Sequence, residues 1–396
     1  MSIDLIFVIL FYLVLYLIFL KYRSKFEIQN KFFVLYKTKI GLKLMDRLSK
    51  HSRTLKILGF ISIIISFTGM IFIFYILLKG TYNLIAIPES QPMLAPVLPG
   101  VTIPGLPSLS FWHWIISILI IAAVHEFCHG VYARLNRIKI KSSGFAFLGP
   151  ILAAFVEPDE KQMEKKSKYA QLSVLSAGPF SNIVLGILIL LLVIFILSPV
   201  ASSMTEYNGM EIVDINKSLP ISNTTIKEGD VILKINNLEV KNRTDFTKIL
   251  EKFSPNDIIN ITTNNSTVSV KLAKNPKNNS KPILGVSLSE HDIGIKNEIK
   301  DKYLFLPAIF FWLFKLLFWV YLISVGVGLF NLLPLGPVDG GRMFYVAALY
   351  ITKDKLKAKK IYTYITLLCL TLIFINLLPY IIKLISFILI PLILLF

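Results

Sequence analysis

The chain has 396 residues, of which 55% are hydrophobic and only 17% are charged, a balance far from that of an average soluble domain. Its two cysteines, Cys128 and Cys369, both lie in apolar stretches, which excludes a disulfide-stabilised fold. The formal net charge of +18 does not require nucleic acid, because the basic residues cluster between apolar runs, where membrane orientation and anionic lipid explain them. The sequence predicts a membrane protein with no nucleic-acid partner.

Apolar runs of about 20 residues, the length that crosses about 30 Å of hydrocarbon, divide the chain. Six spans are predicted, at residues 3–20, 57–78, 111–131, 172–197, 304–329 and 361–379. The first run is followed by Lys21, Arg23 and Lys25 and has no positive residue before it, which favours a retained span over a cleaved signal. The apolar tail at 380–396 is a continuation, a bent final helix or a seventh span, and the sequence leaves these open.

Charge in the connections predicts the orientation. Residues 21–56 and 134–168 are rich in Lys and Arg, residues 80–110 contain neither, and a lysine cluster occupies 353–360. Because basic connections face the cytoplasm, the basic segments are predicted to lie inside and residues 201–300 outside.

Residues 201–300 have the texture of a soluble domain, with short alternating apolar runs separated by Asn, Gly, Pro and Asp. The stretch EGDVILKINN at 228–237, followed by a helical pattern at 243–253, resembles a PDZ domain. Another small β-sandwich-like insert is the alternative. The carboxylate-binding loop usual in PDZ domains is not recognisable here.

An apolar stretch at 144–156 is too short to span a membrane and is broken by Gly149-Pro150. Non-helical backbone at membrane depth survives only when buried in protein or lining a wet cavity. A re-entrant hairpin is therefore predicted, and a short interfacial loop is the alternative.

The pentapeptide HEFCH at 125–129 matches H-E-x-x-H. On a helix, His125 and His129 project from one face and can grip one metal ion, while Glu126 can act as a general base. Ionisable groups in an apolar span are costly and usually functional. Two helix-interface histidines bonded to neighbours are the structural alternative.

A catalytic zinc ion needs a third protein ligand. The other histidines lie too far away: His113 is about 18 Å along the helix, and His51 and His291 fall in distant connections. Asp339 lies in a Pro/Gly-broken segment at the same predicted depth as His129, which makes it the candidate. A helix-capping or turn aspartate is the alternative.

Four motifs resemble, in order, the site-2 protease family of intramembrane zinc metalloproteases. They are HEFCH at 125–129, FVEPDE at 155–160, SAGPFSN at 176–182 and NLLPLGPVDGG at 331–341. The resemblance covers about residues 111–344 and is closest to archaeal members with an inserted PDZ-like domain.

The resemblance implies one Zn²⁺ ion per chain, held by His125, His129 and Asp339, and a zinc metalloendopeptidase in which Glu126 assists the attack of water on peptide bonds within transmembrane segments. The implied process is regulated intramembrane proteolysis. The implied partners are the lipid bilayer and membrane-anchored substrates, including regulators already cut on the outer side.

Asn331, Pro334 and Asn182 match family positions that handle substrate near the site. Asn182 could equally be an interhelical hydrogen-bonding group. A second Asn-x-x-Pro, at 376–379, lacks the following Asp-Gly and is predicted to be a helix break.

The predicted fold is a polytopic α-helical membrane protein of about six transmembrane helices and a re-entrant hairpin, with a small extracytoplasmic PDZ-like α+β domain. The predicted parts are two N-terminal spans with a basic cytoplasmic loop (1–110), the first part of the catalytic core (111–200), the PDZ-like domain (201–300), the second part of the core (301–350) and C-terminal transmembrane segments (351–396). The predicted location is a prokaryotic, archaeal-type cell membrane, with the active site toward the cytoplasm.

Two other classes compete with a protease. A zinc-binding membrane receptor or scaffold would not need Glu126 beside the histidines. A metal-ion or solute transporter would favour two repeated halves with discontinuous helices, and no repeat is visible.

Overall fold

The computed structural model describes residues 3–23, 26–29, 33–87, 90–99, 101, 106–148, 151–216, 219–275 and 278–393. The helices are α1 (Ile3–Lys21), α2 (Leu42–Leu48), α3 (Ser52–Ala86), α4 (Phe111–Leu135), α5 (Glu160–Glu164), α6 (Lys168–Leu192), α7 (Ser198–Met204), α8 (Arg243–Leu250), α9 (Asn297–Tyr303), α10 (Leu306–Phe330), α11 (Asp339–Thr352) and α12 (Lys355–Ile393). The strands are β1 (Phe26–Gln29), β2 (Phe33–Thr38), β3 (Ile140–Leu148), β4 (Ile151–Pro158), β5 (Thr205–Ile215), β6 (Val231–Ile235), β7 (Leu238–Glu239), β8 (Ile258–Thr263), β9 (Thr267–Lys271), β10 (Ala273–Asn275), β11 (Asn278–Ile283) and β12 (Val286–Ile295).

Five helical segments in the described part of the chain are long and apolar enough to cross a membrane. They are Ser52–Ala86, Phe111–Leu135, Lys168–Met204, Leu306–Phe330 and Lys355–Lys383. The first predicted span falls on α1, whose segment Val8–Lys21 is a shorter apolar helix, so the count of six stays a prediction. The chain is an integral membrane protein.

Residues 380–393 continue the last helix, and the rest of the apolar tail lies outside the described residues. α12 runs without interruption from Lys355 to Ile393, so the helix break predicted at 376–379 is wrong. Asn376 is buried inside this helix and its amide donates to Thr81 Oγ1 at 2.7 Å, while its Oδ1 accepts from the backbone N–H of Met93 at 3.1 Å. These bonds, one to α3 and one to the connection after it, satisfy a polar side chain that would otherwise be costly among apolar helices.

A four-stranded antiparallel sheet in the order β1-β2-β3-β4 lies in the unit formed by residues 1–193 and 314–396. β3 and β4 form the predicted hairpin, with Gly144 opposite Phe155, and its turn at 149–150 lies outside the described residues. β1 and β2 come from the basic connection, which was predicted only as a loop. Gly144 has no room for a side chain, because a Cβ there would lie 2.0 Å from the carbonyl oxygen of Tyr36 on β2.

Small and hydroxylic residues join α3, α4 and α6. Ser62 on α3 and Ser176 on α6 share a buried 2.8 Å hydrogen bond, and Tyr132 on α4 donates to the carbonyl of Leu55 on α3 at 3.1 Å. Side-chain caps begin two of these helices: Ser110 accepts from a backbone N–H of α4, and Ser167 from one of α6. Helix packing through small residues and polar bonds is the mode that apolar surroundings favour.

Residues 194–313 form a second compact unit of α+β structure. Its main sheet has the order β12-β5-β6-β8-β9, and β7 pairs with β6. The inward faces of these strands carry fully buried isoleucines such as Ile212, Ile232, Ile259 and Ile261. This alternation of buried and exposed positions gives the unit its own hydrophobic core.

Candidate metal and active site

Helix α4 presents two imidazoles from one face. His125 and His129 are four residues apart, both are buried, and their Nε2 atoms lie 3.1 Å from each other. His129 Nδ1 lies 2.7 Å from the carbonyl oxygen of Val174 on α6 and so donates its proton there. That bond leaves Nε2 of His129 unprotonated, with its lone pair directed toward His125 and Asp339.

Asp339 is the first residue of α11 and follows a tight connection at 331–338. The N–H of Gly340 donates to the carbonyl of Asn331 at 2.7 Å, and a Cβ at Gly341 would lie 2.0 Å from the carbonyl oxygen of Leu335. The connection therefore folds back on the start of α11 so closely that glycine is required at both 340 and 341. Helix α12 supports it, because Tyr362 donates to the carbonyl of Gly336 at 3.2 Å.

The Asp339 carboxylate completes a triangle of donor atoms with the two histidines. Its Oδ2 atom lies 3.0 Å from Nε2 of His125 and 3.2 Å from Nε2 of His129. Ligands about 2.0–2.1 Å from a tetrahedral zinc ion are separated by about 3.3–3.4 Å, so the three atoms stand close to the required spacing. An ionised Asp339 carboxylate facing the Nε2 lone pairs of the two histidines would complete the donor set that a metal ion needs.

Gly178 on α6 provides the space over this triangle. A Cβ at this position would lie 2.4 Å from Nε2 of His129 and 2.6 Å from Nε2 of His125. The next residue, Pro179, lacks an N–H and removes one helical hydrogen bond from the same turn of α6. The donor set and the space that a side chain would fill both fit a metal ion.

Glu126 lies on α4 beside the triangle and lines the same cavity of about 240 Å³. Its Oε2 atom accepts the backbone N–H of Val156 on β4 at 2.9 Å. At the cavity wall, Arg342 on α11 contacts Glu160 on α5 at 3.3 Å. Both partners of that pair are largely exposed, so it contributes little to stability.

The remaining predicted site residues occupy different positions. Asn331 lines the cavity, whereas Pro334 and Asn182 are not among the described residues of its wall. Pro334 is buried and its carbonyl accepts a 3.4 Å bond from Thr366 of α12. Asn182 is fully buried, with its side-chain amide 3.0 Å from Nδ1 of His125.

Sequence reasoning did not single out three contributors. The Gly-Pro pair at 178–179 is unusual inside an apolar run and marks the position, but the sequence does not show that Gly178 lies against the two histidines. The carbonyl of Val174 and the N–H of Val156 belong to the backbone, so no side-chain pattern marks them.

The apolar helices, and the two buried histidines with the half-buried Asp339 beside a glutamate, define an integral membrane protein with a site able to hold a metal ion. The sequence profile of peptidase family M50 matches residues 113–375, and the chain belongs to this family, the site-2 proteases. The family consists of zinc metalloproteases and indicates a protease here, so the predicted family is confirmed.

Two relatives are similar in sequence. An uncharacterised protein of Methanocaldococcus jannaschii is 30% identical over 316 residues, covering 78% of this chain and 75% of the relative. A protein named probable protease eep, of Enterococcus faecalis, is 33% identical over 76 residues, covering 19% of this chain and 17% of the relative.

Solved structures match about a fifth of the chain. The PDZ domain of an SdrC-like protein of Listeria monocytogenes is 20% identical, covers 21% of this chain and 88% of its own, and has a TM-score of 0.19. The corresponding domain from Listeria innocua is 19% identical, covers 21% and 97%, and has the same TM-score of 0.19.

Replacing Gly178 with alanine should weaken zinc binding, because the new methyl group would occupy the space beside the two Nε2 atoms. We expect the zinc affinity of the purified full chain to fall by at least about tenfold, measured by competition with a chromogenic chelator. Gly326→Ala is the matched control, since a Cβ there meets nothing within 4 Å. Unchanged affinity in Gly178→Ala, with an unchanged size-exclusion profile for both variants, would contradict this assignment of the site.

Proposed function

We propose that the protein is a zinc-dependent intramembrane endopeptidase. The observation that carries the proposal is the triangle of His125, His129 and Asp339 at 3.0–3.2 Å, with Glu126 beside it, in a chain of the M50 family. A zinc ion held by these three residues would supply a Lewis acid to polarise the scissile carbonyl.

Glu126 is the proton-transfer group of the proposed reaction. The N–H of Val156 fixes one carboxylate oxygen of Glu126, which orients the other toward the cavity. Glu126 accepts a proton from the attacking water and delivers it to the amine that leaves when the peptide bond breaks. A receptor or transporter would have no use for a carboxylate held in this way, which favours an enzyme.

The substrate is proposed to be a transmembrane segment that unwinds before cleavage, because a helix hides its carbonyls in hydrogen bonds. The N–H of Val156 points away from β3, and in an antiparallel strand alternate residues present their backbone groups to the same side. Ala154 and Leu152 therefore also direct theirs to the outer edge of β4. An unwound substrate can pair with this edge by strand addition.

Asn182 is proposed as a positioning residue rather than a substrate-binding one. His125 can use Nε2 for a metal only if Nδ1 carries the proton, and Nδ1 then needs an acceptor. The Oδ1 atom of Asn182 is buried without a hydrogen-bond partner among the described residues. Rotating the amide by half a turn places Oδ1 against Nδ1–H, so one reorientation satisfies both groups.

The side of the membrane follows from charge. The distribution of Lys and Arg supports a cytoplasmic position for the active-site end of α4 and an outer position for residues 201–300. We propose that the outer residues select membrane-anchored regulators that have already been cut on that side, in a prokaryotic cell membrane of the archaeal type.

Replacing Glu126 with glutamine should lower kcat by about 10²–10⁴-fold, because the proton acceptor is lost, while about one zinc ion per chain remains bound. The measurement is cleavage of a tagged single-span substrate by the detergent-solubilised full chain, with zinc content by elemental analysis. Glu160→Gln, an exposed carboxylate at the same cavity, is the control. Equal cleavage by Glu126→Gln would disprove the base assignment, and no cleavage by any form across several substrates would favour a receptor.

Replacing Asn182 with leucine should weaken zinc binding by about 10–100-fold, because the proton of His125 loses its acceptor. KM for the same substrate should stay within about twofold at saturating zinc, and Asn182→Asp, which keeps an acceptor, should restore the affinity. A raised KM with unchanged zinc affinity would instead identify Asn182 as a substrate-binding residue.

A further inference from the structure

A second cavity, of about 660 Å³, lies at the ends of α5, α6, α11 and α12, and it is rich in positive charge. We call it the basic cavity. Five cationic side chains line it: Lys165, Lys168, Arg342, Lys355 and Lys359. One acidic residue, Glu164, is among the described residues of its wall.

The lysines of the basic cavity are not neutralised by the fold. In the described part of the chain, none of the four has a carboxylate oxygen within 4 Å. Arg342 contacts Glu160, which belongs to the wall of the catalytic cavity. Several like charges around one cavity create a positive potential that attracts an anion.

The rest of the wall is apolar and aromatic. Leu175 on α6 and Val346 and Leu349 on α11 face the cavity. Tyr345 and Tyr362 also line it and stack edge to face with ring centroids 5.6 Å apart. A small inorganic anion needs no such surface, whereas a molecule with a charged head and apolar chains does.

The position of the basic cavity matches a membrane boundary. Two apolar segments long enough to span begin at Lys168 and at Lys355. Close to the latter, Tyr350, Ile351 and Leu356 are 71%, 77% and 75% exposed. Exposed apolar side chains at the end of a span contact lipid rather than water.

We propose that the basic cavity binds the anionic phosphate head group of a membrane phospholipid. Basic pockets between transmembrane helices are suited to such head groups, which supply the missing negative charge while the lipid chains cover the apolar wall. Met163, Leu175 and Arg342 line both this cavity and the catalytic one, so the bound lipid contacts a wall of the active site.

The test is binding of a soluble phospholipid to the purified full chain, counted by native mass spectrometry. Dioctanoyl phosphatidylglycerol is the anionic probe and dioctanoyl phosphatidylcholine the zwitterionic one. We expect one tightly bound phosphatidylglycerol per chain, and at least about tenfold weaker binding of phosphatidylcholine.

The variant Lys355→Glu/Lys359→Glu should weaken phosphatidylglycerol binding by at least about tenfold. Lys357→Glu/Lys360→Glu is the matched control: it makes the same charge change on the same turn of α12, but neither residue lines the cavity. The control should stay within about twofold of the parent chain. All four lysines are exposed, so both variants should keep the size-exclusion profile of the parent.

Four results would overturn the proposal. If both variants lost phosphatidylglycerol binding equally, general surface charge rather than the cavity would account for the binding. If both lipids bound equally well, the cavity would not recognise an anionic head group. Complete displacement by millimolar inorganic phosphate would identify free phosphate as the ligand. Binding of a short polyglutamate peptide that needs Lys355 and Lys359, without binding of phosphatidylglycerol, would identify an acidic protein segment.

Discussion

The structure depends on holding two imidazoles and a carboxylate within 3.2 Å of one another among apolar helices. Such groups are expensive in low dielectric unless each is satisfied. The backbone of Val174 and the amide of Asn182 engage the outer nitrogens of the histidines, and the Asp339 carboxylate faces both inner ones. Groups on α6 and α11 thus provide hydrogen-bonding partners for both histidines.

Close approach of α4 and α6 makes that arrangement possible. Gly178 allows α6 to pass directly over the histidines. The hydrogen bond between Ser62 on α3 and Ser176 on α6 holds α3 against α6. The sheet then brings backbone from β4 to Glu126. Helices thus supply the three proposed metal ligands, while β4 supplies the edge along which we propose that an extended substrate lies.

Much of the site could be predicted from the sequence, because the helical period fixes where His125 and His129 point and because few residues could serve as the third ligand. Five of the six predicted spans coincide with long apolar helices, because hydropathy alone marks such segments. The pairing of β2 with β3 could not be predicted, since it joins residues about 105 positions apart, as in the bond between Thr38 and Ser143. The uninterrupted course of α12 through Pro379 was also missed, because the tertiary hydrogen bonds of the buried Asn376 leave no pattern in the sequence.

The position of Asp339 depends on the last helix of the chain, because α12 bonds to the connection that precedes it. Two of the proposed ligands lie on α4, whereas the third begins α11, and the connection before it accepts hydrogen bonds from Tyr362 and Thr366 of α12. Helix α12 therefore holds the connection before Asp339 in place, although it carries none of the three residues itself. Truncation of α12, or a binding event at its start, would displace Asp339 while leaving the histidine pair intact.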